Sequence, residues 1–202
     1  MRETVLKRLK KKLSPGNVYR RADFTALSSN VDRHLSTLVS EGVLSKLQNG
    51  LFYCPEQSTF GDVPPADQEL LEAFLKSDEF LVYSPNSFNS LGLGTTQLYN
   101  LPVVLNAKRH GLLQLGERDF LFVRRRFVPK QLTKEVLLVE LLNNSKWVSE
   151  EHDGVLEALS RKLDEYDRAA LQKAAKRYGT YSTQRQLNQL YSTDEASLQT
   201  AA

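Results

Sequence analysis

The sequence predicts an α+β fold: a small helical module closed by a β-hairpin, followed by a mixed α/β body that ends in helices. Three observations predict it. Apolar residues recur at helical spacing in two stretches near the N-terminus, residues 3–13 and 30–40. Asn49-Gly50 separates two short apolar runs, a strong hairpin signal. After the Gly61-Asp62-Val63-Pro64-Pro65 break, short buried-strand patterns give way to helical ones. The division that follows is residues 1–55 as one domain, 56–66 as a linker and 67–202 as a C-terminal domain.

The first module reads as three helices and a hairpin. Helix one spans Glu3 to Leu13, with Val5, Leu6, Leu9 and Leu13 on one stripe and Lys7, Arg8, Lys10, Lys11 and Lys12 opposite. Ser14-Pro15-Gly16 stops it. An extended piece, Asn17 to Tyr19, leads into a short helix from Arg21 or Ala22 to about Leu27. Ser28 and Ser29 break that helix and cap the next, with Asp32 placed to complete a capping box. The third helix, Asn30 to Ser40, buries Val31, Leu35, Leu38 and Val39. Strands follow at Val43–Gln48 and Leu51–Cys54.

That order is the order of a winged helix-turn-helix. The face of the third helix opposite its buried stripe holds Arg33, Ser36, Thr37 and Ser40, with Asn30 at its edge. These side chains are small, polar and singly basic, which suits base edges in a major groove. Arg33 is placed for a guanine edge, and Asn30 or Thr37 for neighbouring bases. Arg20, Arg21 and Lys46 are candidates for phosphates, giving affinity without sequence information. The alternative for such a module is protein contact. His34 sits on the flank, as a DNA contact or as plain helix surface, and Lys10–Lys12 read as solvated charge.

Charge distribution agrees with a polyanion-binding head. Residues 1–55 contain 10 Lys or Arg against 4 Asp or Glu, whereas the remaining residues contain 17 against 20. No run of about 18 apolar residues occurs, so no membrane span is expected. The N-terminus lacks a secretory core, and the single Cys54 cannot form an intramolecular disulfide, so a cytoplasmic location is expected. One Cys and three scattered histidines, His34, His110 and His152, provide no metal-ligand spacing; neither metal nor cofactor is expected.

In the body, helices are expected at Asp67–Lys76 and Asn86–Leu91, and strands at Phe80–Tyr83, Leu101–Asn106, Leu112–Leu115 and Phe120–Val123. The last is apolar on both faces and therefore central. Helices then cover Lys134–Asn144, Gly154–Tyr178 and Thr183–Tyr191, with a fraying tail from Ser192 to Ala202. Catalytic signatures are missing. Gly92-Leu93-Gly94-Thr95-Thr96-Gln97 lacks both the Lys of a P-loop and the third Gly of a dinucleotide fingerprint. There is no Gly-x-Ser-x-Gly, and the carboxylates near Phe120–Val123 are Glu117 and Asp119 with no Glu-x-Lys. The chain is therefore not expected to be an enzyme. Lys108, Arg109 and Arg124–Arg126 form either a second basic patch or ordinary charge at strand ends.

Three phrases carry a family resemblance: Gly50-Leu51-Phe52-Tyr53-Cys54-Pro55, Phe60-Gly61-Asp62-Val63-Pro64-Pro65 and Ser87-Phe88-Asn89-Ser90-Leu91-Gly92-Leu93-Gly94-Thr95-Thr96-Gln97. In this order the chain, from Arg2 to about Tyr191, resembles the AbiE-type antitoxins of bacterial type IV toxin–antitoxin systems. The resemblance implies a winged helix that binds inverted repeats at its own promoter and represses the operon. It implies a C-terminal domain that counters a nucleotidyltransferase-like toxin, without requiring a stable complex with it. Thr95, Thr96 and Gln97 match the family's body motif, with no role assigned. Gly94 and Cys54-Pro55 depart from the family pattern. The alternative is a winged-helix regulator whose body binds a ligand or dimerises, with no toxin partner.

Overall fold

The computed structural model describes residues 4–93, 100–144 and 152–200. The chain is α+β and falls into two compact units, residues 1–78 with 113–119, and residues 79–112 with 120–202.

The first unit begins with α1 (Val5–Lys12), whose Thr4 side chain accepts from the Lys7 amide and whose Leu9 is fully buried. β1 (Val18–Arg20) follows, then a 3-10 turn at Arg21–Phe24 and α2 (Val31–Ser40). β2 (Ser45–Gln48) and β3 (Leu51–Tyr53) form the hairpin. β3 is the middle strand, antiparallel to β1 and β2, with Val18 opposite Tyr53 and Lys46 opposite Phe52. The module is therefore a winged helix, and the expected extended piece is the third strand of its sheet. Gly50 turns the hairpin with φ 76°, a conformation that an L side chain rarely adopts, and its carbonyl accepts from the Arg21 amide at 2.9 Å. Leu9, Phe24, Val31, Leu35, Leu38, Leu44 and Phe52 make one core with Cys54. Burial raises the pKa of the Cys54 thiol.

Two expectations change here. The segment read as a linker is partly a hairpin, β4 (Glu56–Ser58) paired with β5 (Gly61–Val63), and the Tyr53 hydroxyl donates to the Val63 carbonyl at 2.6 Å. Both strands are solvent-exposed, so they bury no apolar stripe that periodicity could detect. Second, α3 (Asp67–Leu75) belongs to the first unit rather than to the body. Its Glu69 carboxylate accepts from the Val18 amide of β1 at 2.7 Å, and its Asp67 pairs with Arg118.

The second unit is built on a four-stranded sheet in the order β6 (Phe80–Tyr83), β7 (Val103–Asn106), β9 (Arg118–Arg124), β8 (Gly111–Leu115). β6 and β7 are antiparallel, and β7 and β9 are parallel with Val103 opposite Leu121. The strand expected at Phe120–Val123 is central, as its two apolar faces demand. The tip of the β8–β9 hairpin, residues 113–119, belongs to the first unit, where the Gly116 amide donates to the Leu47 carbonyl at 2.9 Å. Residues Pro85–Leu91 form a 3-10 run begun by the Ser84 side chain.

α4 (Lys134–Asn143) buries every residue from Val136 to Leu142, including Glu140. The helix expected over Gly154–Tyr178 is broken into α5 (His152–Ser160), a 3-10 turn at Leu163–Glu165, and α6 (Arg168–Tyr178). The break has a local cause: Asp167 starts a new helix by accepting from the Ala170 amide at 3.0 Å. α7 (Tyr181–Thr200) runs on through most of the tail expected to fray. No helix among the described residues is long and apolar enough to cross a membrane. No group of three or more His, Cys, Asp or Glu among them is placed to hold a metal ion.

Candidate nucleic-acid interface

α2 is amphipathic in the sense the sequence requires. Val31, Leu35 and Leu38 are buried and Val39 half-buried, while Asn30, Arg33, Ser36 and Ser40 are exposed and Thr37 partly so. One helix face therefore brings together five of the expected site residues.

The start of α2 differs from the expected capping box. Asp32 does not reach back to the cap. It is gripped instead by Arg21, whose Nε donates to Oδ1 at 2.6 Å and whose Nη2 donates to Oδ2 at 2.7 Å. A bidentate, charge-assisted pair outcompetes a single neutral cap bond. That pair holds the Asp32 carboxyl below the ordinary aspartate range and raises Arg21, the hydrogen bonds being the largest cause in each case. No side chain among the described residues caps the α2 amides, and Ser28 instead turns the chain just ahead of the helix. Its Oγ accepts from the Asn30 amide at 3.1 Å and lies 2.7 Å from His34 Nδ1. The Asn30 side chain makes no cap bond and is left at the exposed edge.

The end of α2 is neutralised in the same way. Glu41 pairs with Lys10 of α1 at 2.8 Å. Lys12 is also occupied, donating to the Asp23 carbonyl and lying 5.5 Å from the centre of the Phe24 ring. Lys10 and Lys12, read as solvated charge, thus have defined partners; partners eleven and more residues away leave no trace in helical periodicity.

With Asp32 and Glu41 each held by a cation, Arg33 is the charge that α2 presents outward. Its guanidinium is exposed and forms no ion pair or hydrogen bond with another described residue. Thr37 Oγ1 donates back to the Arg33 carbonyl at 3.0 Å, and Ser40 Oγ to the Thr37 carbonyl at 2.8 Å. Each hydroxyl thereby keeps its oxygen available as an acceptor outward, while Ser36 is exposed beside them.

The backbone-contact candidates differ among themselves. Lys46 is exposed on the wing strand β2 and has no ion-pair partner among the described residues. Arg20 is half-buried; its amide donates to Asp23 Oδ2 at 2.7 Å and its Nε lies 3.9 Å from Asp23 Oδ1. Arg21 is exposed but engaged with Asp32. Thr95, Thr96 and Gln97 lie outside the described residues.

No protein-family model matches the chain, and no curated protein matches it either. Among solved structures it is similar to the crystal structure of the RV2827C protein from Mycobacterium tuberculosis, with 13% sequence identity and a TM-score of 0.53. The match covers 92% of this chain and 74% of that one, and the likeness is one of fold.

Proposed function

We propose that the chain is a DNA-binding antitoxin that represses its own operon through the winged helix and counters a nucleotidyltransferase-like toxin through residues 67–202. The observation that carries the DNA-binding half is the outward face of α2. There, Arg33, with no ion-pair partner among the described residues, stands among small polar side chains while both neighbouring carboxylates are neutralised. Such a face lets a helix enter a major groove without like-charge repulsion from Asp32 or Glu41. In this reading Arg33 takes a guanine edge, with Asn30, Ser36, Thr37 and Ser40 reading around it. Lys46 and Arg20 hold phosphates, and Arg21 does so to a lesser degree because Asp32 already occupies its fork. The chain acts by binding, not by catalysis, in the cytoplasm, with inverted repeats at its own promoter as the duplex target.

The antitoxin half rests on the three family-like phrases in the sequence. It is tested by expressing the adjacent gene from an inducible promoter and following growth alone, with the full chain, and with the Arg33→Ala chain. Toxicity relieved by both chains supports antitoxin action separate from DNA binding. A neighbour that is expressed and harmless, together with intact promoter repression in a reporter, leaves a winged-helix regulator without a toxin. Loss of repression by Arg33→Ala with retained rescue assigns the two activities to different surfaces.

A further inference from the structure

The second unit carries its own concentration of positive charge, independent of the winged helix. Residues 124–134 and 168–178 contain nine Lys or Arg and no Asp or Glu, in a chain whose residues after 55 are acidic on balance. The two segments meet at the ring of Phe127. The Arg126 guanidinium lies 5.2 Å and the Arg177 guanidinium 4.7 Å from the centre of that ring. Phe127 is 41% exposed, and both arginines are exposed. Around them Arg124, Lys130, Lys173 and Lys176 are also exposed, none with an ion-pair partner among the described residues. Lys173, Lys176 and Arg177 are spaced to share one face of α6.

This arrangement is distinct from the structural charges close by. Arg125 turns inward to Glu140, with Nη2 2.9 Å from Oε2, and Lys134 pairs with Glu165 at 3.4 Å. Carboxylates are therefore supplied to Arg125 and Lys134, whereas none among the described residues pairs with Arg126 or Arg177. The two guanidiniums share one ring and lie no further than about 10 Å apart, near the Debye length of about 8 Å at physiological salt, so their repulsion is partly screened. Each guanidinium is thus held near the ring, and neither Arg126 nor Arg177 forms an ion pair among the described residues. Two guanidiniums gathered at one exposed ring, with no carboxylate paired to either among the described residues, fit successive phosphates of a nucleic-acid strand.

We propose that Arg126, Arg177 and Phe127 form a second nucleic-acid site, which binds the phosphodiester backbone without reading sequence. The site stands without the winged-helix reading. Binding of the full chain to a random-sequence duplex and to a single-stranded RNA of equal length, at several salt concentrations, tests it. The Arg126→Gln/Arg177→Gln variant should weaken binding and flatten the slope of log K against log salt. The expected flattening is about 1.8 on duplex and about 1.4 on the single strand. Phe127→Leu, which keeps an apolar side chain but removes the aromatic face, should give a smaller loss. A loss on duplex alone extends the DNA footprint to the second unit; a loss on RNA alone makes this surface a separate RNA-binding face. The same loss in an Arg33→Ala background separates this site from α2. Unchanged affinity and slope on both nucleic acids, with unaltered thermal melts, would overturn the proposal.

Discussion

α2 and α4 are both ten-residue helices, and they treat charge in opposite ways. α2 lies at the surface of the first unit: its buried residues are Val31, Leu35 and Leu38, and its outward arginine has no ion-pair partner among the described residues. α4 lies inside the second unit, buried from Val136 to Leu142, with a carboxylate at 0% exposure. A charge in that setting has to be matched. Glu140 takes two bonds from Arg125, at 3.3 and 2.9 Å, and one from each of Asn143 and Asn144 at 3.1 Å. Asn143 then ties the network onward, donating to the Tyr178 carbonyl and accepting from the Thr180 amide and the Thr183 hydroxyl. The buried polar residues of α4 are consumed by the fold, whereas on α2 Arg33 has no ion-pair partner among the described residues. Partner saturation, more than residue type, separates a structural charge from one available for binding.

The comparison can be broken most forcefully at Glu140. Glu140→Ala should destabilise the second unit by about 4 kcal/mol, because Arg125 and two amides lose their acceptor together. Glu140→Gln should cost less, since the amide oxygen still accepts. Hydrogen exchange should place the loss in α4 and α6; equal stability of Glu140→Ala and wild type in urea would mean that the network carries no weight. Next comes the buried side of α2. Leu38→Ala should cost about 3 kcal/mol through the cavity it leaves under α2, measured by thermal unfolding of the first unit. A cost as small as that of a surface substitution would show that the helix is not seated as described.

The smallest effect concerns Asp32. Its folded-state pKa lies below the ordinary value, so the ion pair contributes above the unfolded-state pKa and is lost as pH falls through the depressed folded one. NMR titration should find Asp32 ionised below the usual aspartate range, and Arg21→Ala should return it towards that range. With the pair solvent-exposed, overall stability should hardly respond. An unshifted Asp32 in the wild type would mean that the carboxylate is free to repel DNA.

Much of the first unit was legible because its determinants are local. The α2 stripe follows from Val31, Leu35 and Leu38, and the wing from Asn49-Gly50. What escaped is set by residues distant in sequence. Arg21 takes Asp32 away from the capping box, and Glu69 reaches back to Val18 and draws α3 into the first unit. The β4–β5 hairpin escaped for a different reason, since both its strands face solvent and leave no alternation to read. In the body, Asp167 interrupts a helical pattern that otherwise runs unbroken, because Leu163, Leu171, Ala174 and Ala175 keep the apolar stripe on both sides of the cap. The basic run at Arg124–Arg126 was visible in sequence, but its two destinies were not. Arg125 turns to Glu140, and Arg126 turns to a ring it shares with a residue fifty-one positions away.

In the proposed function, α2 reads DNA through Arg33, which has no ion-pair partner among the described residues. The most direct test is the affinity of the full chain for the DNA upstream of its own gene, against a random duplex, for wild type and Arg33→Ala at fixed salt. Tighter binding to the upstream DNA is expected, with a loss of about 1–3 kcal/mol there for Arg33→Ala and a much smaller loss on the random duplex. Equal affinity of the two proteins for the upstream DNA would contradict it.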